Sequence, residues 1–163
     1  SRLPYRPHNN HRLRNLATMT DLLSTLKASE LPAHCLSGDV SYRGRGGPKG
    51  LHVCHCRQCA RWGGGPALGF EFAEGVDFSG PVKWFSSSDW AERGFCTNCG
   101  STIFYRLKDG SWFNVAAGTL DDQSVLSDIE SHIFVDCKPS YYDFADQAPR
   151  LTEEQFLATL QSK

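Results

Sequence analysis

Cysteine spacing constrains this chain more than any other feature of its sequence. Residues 54–59 read C-H-C-R-Q-C, residues 96–100 read C-T-N-C-G, and Cys35 stands in the segment H-C-L-S-G at 34–38. Three reduced thiols within six residues would oxidise readily without a metal, and a C-x-x-C pair followed by glycine forms the tight turn of a zinc knuckle. The pattern therefore predicts zinc–thiolate sites, with the candidate ligands Cys35, Cys54, Cys56, Cys59, Cys96 and Cys99.

The number of clustered cysteines leaves the coordination of these sites open. Two closed four-cysteine sites need eight thiols, whereas the clusters supply six. At least one zinc must then use another ligand or keep a free position. His34, Ser37, His52 and His55 lie nearby in sequence, and each histidine is more often a packed or surface residue than a ligand. A redox pair is the alternative for 96–99, but such a pair normally opens a helix, and a β-rich run follows here.

Composition indicates one globular domain rich in β-structure. The chain has 163 residues, 40% of them apolar, with 15 Gly, 8 Pro and one Met, which favours a turn-rich β protein over a helix bundle. The 17 Lys and Arg residues nearly balance the 18 Asp and Glu residues, so the composition does not indicate a protein that coats nucleic acid. No apolar run approaches the ~18–20 residues that span a bilayer.

Alternating hydrophobicity predicts several strands after residue 35. Leu68, Phe70 and Phe72 alternate with polar or small residues, as expected of a half-buried strand. Further strands are predicted over 82–85, 102–107, 112–116 and 131–136, with a two-residue hairpin turn at Asp109-Gly110. Glycine-rich loops are predicted at 44–50 and 63–65. The cysteine clusters are thus embedded in a β scaffold.

The first 18 residues differ in charge from the rest of the chain. They contain four Arg and no acidic residue, and they precede the single Met, Met19. We interpret residues 1–18 as sequence upstream of the natural start, with an Arg-rich transit peptide or a disordered basic arm as the alternatives. Residues 19–163 are then predicted to form a single zinc-binding β domain.

Helices are predicted at both ends of this domain. Leucines at helical spacing predict a short helix over 20–28. A second helix is predicted after Thr152, where Thr152 and Gln155 have the spacing of a capping box. The expected buried stripe of this helix consists of Phe156, Leu157 and Leu160.

In combination, the cysteine motifs resemble those of the glutathione-dependent formaldehyde-activating enzyme family, a resemblance that extends to domains of the centromere protein V type. Proteins of this family carry C-x-C-G, then C-H-C-x-x-C, then F-C-x-x-C-G-S. Here the second motif stands at 54–59 and the third at 95–101. G-T-L-D-D at 118–122 and H-I-F-V at 132–135 resemble later family segments, so the resemblance covers about residues 33–150.

The resemblance implies a fold and two metal sites. The fold is mainly β, a zinc-binding β-tent of packed antiparallel sheets, here with short N- and C-terminal helices. By position, Cys54, Cys56 and Cys59 would hold a catalytic zinc with an open fourth position. A structural zinc would be held by Cys35, residue 37, Cys96 and Cys99.

The resemblance also implies an activity, that of a zinc-dependent carbon–sulfur lyase of the S-(hydroxymethyl)glutathione synthase type. Such an enzyme adds the thiolate of glutathione to formaldehyde and uses up to two Zn²⁺ per chain. Arg57 and Arg61 flank the 54–59 cluster and are candidates for binding the glutathione carboxylates. Reduced thiols without an export signal favour the cytoplasm, and neither nucleic acid nor a membrane is expected as a partner.

Ser37 departs from the family motif, because the second cysteine of C-x-C-G is serine here while Gly38 is retained. The Cys35 site keeps three thiols, and His34, a water or a weakly bound Ser37 is left to complete it. This loss fits a second hypothesis, a non-catalytic zinc scaffold that binds a protein partner. A third hypothesis, methionine sulfoxide reduction, needs a reactive cysteine outside the metal sites, and only Cys137 qualifies.

Overall fold

The computed structural model describes residues 31–161. The helix predicted over 20–28 and the interpretation of residues 1–18 lie outside the described residues. The strands and helices are β1 (Leu31–His34), β2 (Ser41–Gly44), β3 (Pro48–Cys54), α1 (Arg57–Gly63), β4 (Ala67–Phe72), β5 (Val76–Ser79), β6 (Val82–Ser86), β7 (Ala91–Cys96), β8 (Thr102–Leu107), β9 (Phe113–Ala116), β10 (Ser131–Ile133), β11 (Arg150–Leu151) and α2 (Glu153–Gln161).

The strands form two sheets. β1, β2 and β5 make a three-stranded antiparallel sheet, and the others make an eight-stranded sheet in the order β11-β10-β3-β4-β9-β8-β7-β6. Neighbours in the large sheet are antiparallel, except that β10 runs parallel to both β3 and β11. The expected mainly β fold is confirmed, with these two parallel pairings added to it.

Aromatic side chains fill the space between the two sheets. Tyr42 on β2 and Phe78 on β5 both contact Phe104 on β8, with ring centroids 5.3 and 5.1 Å apart. Cys35 and Cys96 belong to the same buried cluster and are almost completely inaccessible to solvent. One of the predicted metal sites is therefore anchored in the hydrophobic core.

The prediction of glycine-rich loops is wrong in part. Gly44 ends β2, and β3 already begins at Pro48, so only the centre of 44–50 is a loop. A side chain on Gly44 would overlap the ring of Phe72, which shows that this glycine permits close packing between strands and does not form a turn. In the second predicted loop, Gly64 ends α1 in the left-handed conformation, with φ of 80°.

Two other predictions change in detail. Asp109-Gly110 lies in the β8–β9 connection, which confirms the hairpin, but the predicted two-residue turn is wrong. The connection runs from 108 to 112, and only Gly110 of the pair has positive φ. The strand predicted over 131–136 ends at Ile133. Phe134 is left-handed, with φ of 58°, and this ends the extended run.

The C-terminal helix α2 begins as predicted. Thr152 Oγ1 accepts from the Gln155 amide at 3.2 Å, and Gln155 Oε1 accepts from the Thr152 amide at 2.9 Å, so the capping box is present. The predicted buried stripe is wrong for Leu157 and Leu160, which are 43% and 54% exposed, because α2 meets the domain through Phe156, whose ring contacts Phe134. No helix within 31–161 is long and apolar enough to cross a membrane.

Candidate metal centres

Three cysteines meet where β3 leads into α1, and we call them the Cys54 centre. Cys54 is the last residue of β3, Cys56 is the N-cap of α1, and Cys59 lies in the first turn of that helix. The Sγ atoms of Cys54, Cys56 and Cys59 all lie within 4.8 Å of one another. The centre is therefore formed by a strand end and a helix start that are adjacent in sequence.

Local hydrogen bonds shape this strand-to-helix junction. The Cys56 thiol accepts from the Cys59 amide at 3.4 Å, which satisfies one of the free N–H groups of the first helical turn. The His55 amide donates to the Ile133 carbonyl at 3.0 Å and so ties the junction to β10. His55 stands in the sequence between the candidate ligands Cys54 and Cys56. Its side chain is buried and forms hydrogen bonds with Tyr142 and His132.

The three thiols of the Cys54 centre share hydrogen bonds, which shift their acidities in opposite directions. Hydrogen bonds from Cys54 and Cys59 lower the pKa of Cys56, and the backbone amide of Cys59 adds to this effect. Hydrogen bonding to Cys56 and Cys59, together with burial, raises the pKa of Cys54. Cys56 is therefore the first of these two thiols to become a thiolate, which is the form that binds a metal.

A buried cation lies against the Cys54 centre. Arg93 on β7 is 6% exposed, and both Nη1 and Nη2 lie 3.7 Å from Cys59 Sγ. Its guanidinium also reaches Gln58 Oε1 at 3.5 Å and lies 5.0 Å from the ring centroid of Tyr105. No carboxylate within 31–161 lies at ion-pair distance from Arg93. Because buried charges are normally paired, the sulfur cluster is the counter-charge of this arginine.

The second triad consists of Cys35, Cys96 and Cys99, and we call it the Cys35 centre. Its three Sγ atoms also lie within 4.8 Å of one another. Cys35 follows β1, Cys96 ends β7, and Cys99 lies in the turn before β8. The turn has the predicted knuckle form, because Gly100 has φ of 75° and its amide donates to the Cys96 carbonyl at 2.9 Å.

Two serine hydroxyls line the Cys35 centre. Ser37 Oγ lies 3.3 Å from Cys35 Sγ and 3.9 Å from Cys96 Sγ, and Ser101 Oγ lies 3.2 Å from Cys99 Sγ. Hydrogen bonds from Ser101 and Ser37 lower the pKa of Cys99 to about 5. For Cys35, burial raises the pKa, but hydrogen bonds from Ser37 and the Val40 amide outweigh it and leave the pKa lowered.

Both triads fit a soft divalent metal ion such as zinc. Each presents three thiols, and thiolates are preferred ligands of zinc in tetrahedral sites. The surroundings differ, however, since a buried arginine faces the Cys54 centre while hydroxyls face the Cys35 centre. Two metal ions per chain are therefore compatible with the donor sets, and their environments are chemically distinct.

The histidines near the clusters have other partners. His34 Nδ1 pairs with Asp121, whereas Ser37 Oγ lies 3.3 Å from Cys35 Sγ. His52 Nδ1 bonds Ser131 Oγ at 2.9 Å. Among residues 31–161, no histidine joins either triad.

The remaining predicted site residues are not members of either triad. Arg57 and Arg61 are exposed on α1, the helix that carries Cys59, and their role in ligand binding stays a prediction. Cys137 is partly buried at the end of a 3-10 turn and is in neither triad.

Sequence reasoning missed several side chains that contact Cys59 or are linked to His55 by hydrogen bonds. Arg93, His132, Tyr142 and Asp146 contact Cys59 or His55 directly or through one another. Arginine, tyrosine and aspartate are ordinary surface residues in most sequences, and these lie far along the chain from residue 59. For His132, the sequence offered only the H-I-F-V segment at 132–135, which indicated a strand and resembled a family segment but gave no sign of a contact with His55.

Comparison with known proteins assigns the chain to a family. The family model of the glutathione-dependent formaldehyde-activating enzymes matches residues 30–137, which include every cysteine of both centres. The chain belongs to this family. The resemblance drawn from the cysteine motifs is thereby confirmed.

The chain is similar to two individual proteins. A protein of Schizosaccharomyces pombe named as an uncharacterized lyase is 29% identical over 114 residues, which are 68% of this chain and 82% of that protein. A Rhodobacter sphaeroides protein of known crystal structure is 14% identical, with a TM-score of 0.48 over 74% of this chain and 99% of that one. The family membership and the relative named as a lyase together support the assignment of this protein as a lyase-type enzyme.

Proposed function

We propose that this protein is a zinc-dependent carbon–sulfur lyase that joins glutathione and formaldehyde to give S-(hydroxymethyl)glutathione. In this reaction the thiol sulfur forms a bond to the aldehyde carbon, the carbonyl π electrons move to oxygen, and that oxygen takes the proton that the thiol loses. The observation that carries the proposal is the Cys54 centre, where three sulfur atoms lie within 4.8 Å on one strand-to-helix junction.

The exposure of the Cys54 centre suits it to an exchangeable ligand. Cys54 and Cys56 are partly exposed, whereas Cys35 and Cys96 of the other centre are buried in the core. Zinc held by three thiolates keeps a fourth position that can accept a substrate sulfur as thiolate. Glutathione is a thiol of this kind, and its pKa of ~8.5 leaves it mostly protonated at neutral pH without such help.

Protein side chains supply charge compensation and substrate contacts in this proposal. Three thiolates and one divalent ion would carry a net charge of −1, and the buried guanidinium of Arg93 lies where it would balance that charge. Arg57 and Arg61 are exposed on the helix beside the centre and are proposed to bind the carboxylates of glutathione. None of the seven cysteines forms a disulfide bond. Free thiols support a reducing compartment such as the cytoplasm.

The experiment must separate catalysis from the spontaneous reaction, because thiols add to formaldehyde without an enzyme. Exchange NMR at equilibrium measures the rate at which S-hydroxymethyl groups form and break. Zinc-loaded protein is expected to accelerate this exchange in proportion to its concentration. Cys56→Ser is expected to abolish the acceleration, and Cys137→Ser, outside both triads, is the matched control and should retain it.

Two results would contradict the proposal. Exchange at the uncatalysed rate with fully zinc-loaded protein would remove the lyase assignment and favour a non-catalytic zinc scaffold. Equal acceleration by wild type and Cys56→Ser would place the chemistry away from the Cys54 centre. Methionine sulfoxide reduction would instead be supported by a reductase activity that Cys137→Ser loses.

A further inference from the structure

A row of three side chains crosses β6, β7 and β8 on the face of the large sheet that contacts α1. Phe85 pairs with Arg93, and Arg93 pairs with Tyr105, so these side chains lie side by side. Cys59 and Trp62 are three positions apart on α1 and share one side of the helix. Cys59 contacts Arg93. The Trp62 ring stacks on Phe85, with ring centroids 5.8 Å apart. The helix that carries two residues of the Cys54 centre thus rests on this row.

The ring of Tyr105 is the packed partner of the Arg93 guanidinium. The guanidinium carbon lies over the ring, 5.0 Å from its centroid, which is within the range of a cation–π contact. Tyr105 is in turn held by Trp112, whose ring meets it edge-on at 5.5 Å. The other contact of the guanidinium, with Gln58 Oε1, is 3.5 Å long and comes from an exposed side chain. Of these two contacts, the tyrosine ring is therefore the one that fixes the guanidinium.

A second arginine on the same strands provides a contrast. Arg106 also lies over an aromatic ring, that of Trp84, at 3.7 Å. Unlike Arg93, it is paired with a carboxylate, because Glu92 lies 2.8 Å away. Glu92 and Arg93 are consecutive on β7, so their side chains point to opposite faces of the sheet. Within residues 31–161, Arg93 is thus held by a ring and has no carboxylate at ion-pair distance.

The difference between a ring and a carboxylate determines the charge beside the Cys54 centre. A carboxylate would hold the guanidinium and cancel its positive charge, whereas a neutral ring holds it and leaves that charge in place. Both terminal nitrogens of Arg93 lie 3.7 Å from Cys59 Sγ. The positive charge is therefore directed at a sulfur atom, where it stabilises the electrons that a thiolate donates to a metal.

We infer that Tyr105 is a positioning residue of the Cys54 centre, because its ring holds the Arg93 guanidinium against Cys59 Sγ without neutralising it. The inference rests on the zinc occupancy of this centre in the proposed function and does not depend on the lyase reaction. Tyr105 acts through Arg93, and the property that matters is its aromatic face, not its hydroxyl group.

Zinc affinity tests the positioning role. Tyr105→Leu and Tyr105→Met are two apolar replacements of different shape that both remove the ring. Each is expected to weaken zinc binding at the Cys54 centre by about threefold to tenfold, the usual effect of losing a cation–π contact. Tyr105→Phe keeps the aromatic face and should bind zinc as the wild type does. The zinc-binding step of the Cys35 centre reports folding and should be unchanged. Wild-type affinity at the Cys54 centre in a folded Leu or Met variant would overturn the inference.

Two further measurements distinguish positioning from a merely structural role. In the Arg93→Met background, replacing Tyr105 should have no further effect on zinc affinity, because the cation that the ring holds is absent. In cobalt-substituted protein, the sulfur-to-metal charge-transfer band should move to lower energy in Tyr105→Leu and in Arg93→Met, since the sulfur electrons lose a stabilising cation. Tyr105→Phe should leave the band in place. An equal loss of affinity with and without Arg93, or an unmoved band in Tyr105→Leu, would overturn the inference.

These measurements also separate the inference from the proposed reaction. Coupled effects of Tyr105 and Arg93 on zinc binding, with S-hydroxymethyl exchange at the uncatalysed rate, would support the positioning role and remove the lyase assignment. Zinc binding at the Cys35 centre alone would overturn both.

Discussion

Both terminal nitrogens of Arg93 lie 3.7 Å from the Sγ atom of Cys59. The arginine comes from β7 and the cysteine from α1, so the contact joins two elements that are distant in sequence. It also gives the two cysteine triads different electrostatic environments, because the hydroxyls of Ser37 and Ser101 line the Cys35 centre instead.

Replacing Arg93 by Met is expected to weaken zinc binding at the Cys54 centre by about 10- to 100-fold, the range typical of groups that contact metal ligands. The physical reason is the loss of the cation that balances three thiolates. Competition with a chromophoric chelator resolves the two binding steps, and one step should weaken while the other is unchanged. Arg106→Met is the control, because Arg106 packs on Trp84 and pairs with Glu92. Equal affinities in wild type and Arg93→Met would contradict this role.

Because residue 37 is serine, we expect an oxygen atom in the fourth metal-binding position of the Cys35 centre. Ser37→Cys should tighten zinc binding at this centre, since thiolate is a stronger zinc ligand than a hydroxyl. Cobalt substitution provides the readout: the wild type should give the spectrum of a three-sulfur, one-oxygen site, and Ser37→Cys that of a four-sulfur site. Ser37→Ala shows whether the oxygen is the serine or a water. Identical cobalt spectra in wild type and Ser37→Cys would be incompatible with this assignment.

The two metals should contribute unequally to stability. The Cys35 centre joins residues about 60 positions apart, whereas the Cys54 centre closes a loop of about five. Loop-closure entropy then favours the Cys35 centre by about 2 kcal/mol, or about 4–8 °C in Tm for a chain of this size. Cys99→Ser should therefore lower Tm more than Cys56→Ser, with Cys137→Ser as the control. A larger fall for Cys56→Ser would contradict the argument.

The cysteine triads were predictable from sequence because their members are close in the chain or follow a known spacing. Cys54, Cys56 and Cys59 need only a strand end and a helix start to meet. Arg93 could not be predicted as a neighbour of Cys59, because arginine does not mark a buried site and this arginine reaches the centre from β7, which is distant in sequence. The position of Gly44 in a strand could not be predicted either, because it depends on close packing against the ring of Phe72 from another strand.

Strand prediction succeeded where side chains alternate and failed where glycine and proline interrupt the pattern. Phe70 and Phe72 marked β4, but β2 and β3 run through a glycine-rich stretch whose burial is set by tertiary contacts. The early end of β10 depends on the left-handed backbone of Phe134, a conformation that hydrophobic alternation does not reveal.

Asp146 should make stability depend on pH in the acid range. Burial raises its pKa, but the Ala148 amide and His132 outweigh this and leave the pKa below its ordinary value of 3.8. A carboxyl with a lowered folded pKa stabilises the protein above its unfolded pKa, and this contribution is lost as pH falls through the folded value. The Tm difference between wild type and Asp146→Asn should thus stay constant from pH 7 to about 5 and shrink below pH 3.8. A difference that grows on acidification would contradict the lowered pKa.

Calorimetric titration of zinc-loaded protein with glutathione, and separately with S-methylglutathione, tests the central claim most directly. The two ligands share the same carboxylates and differ at sulfur, so they separate metal–sulfur binding from peptide recognition. Saturable binding of glutathione with no heat from S-methylglutathione is the predicted result, and it should vanish in Cys56→Ser. Absence of glutathione binding, or equal binding of both ligands, would contradict a thiol-accepting Cys54 centre.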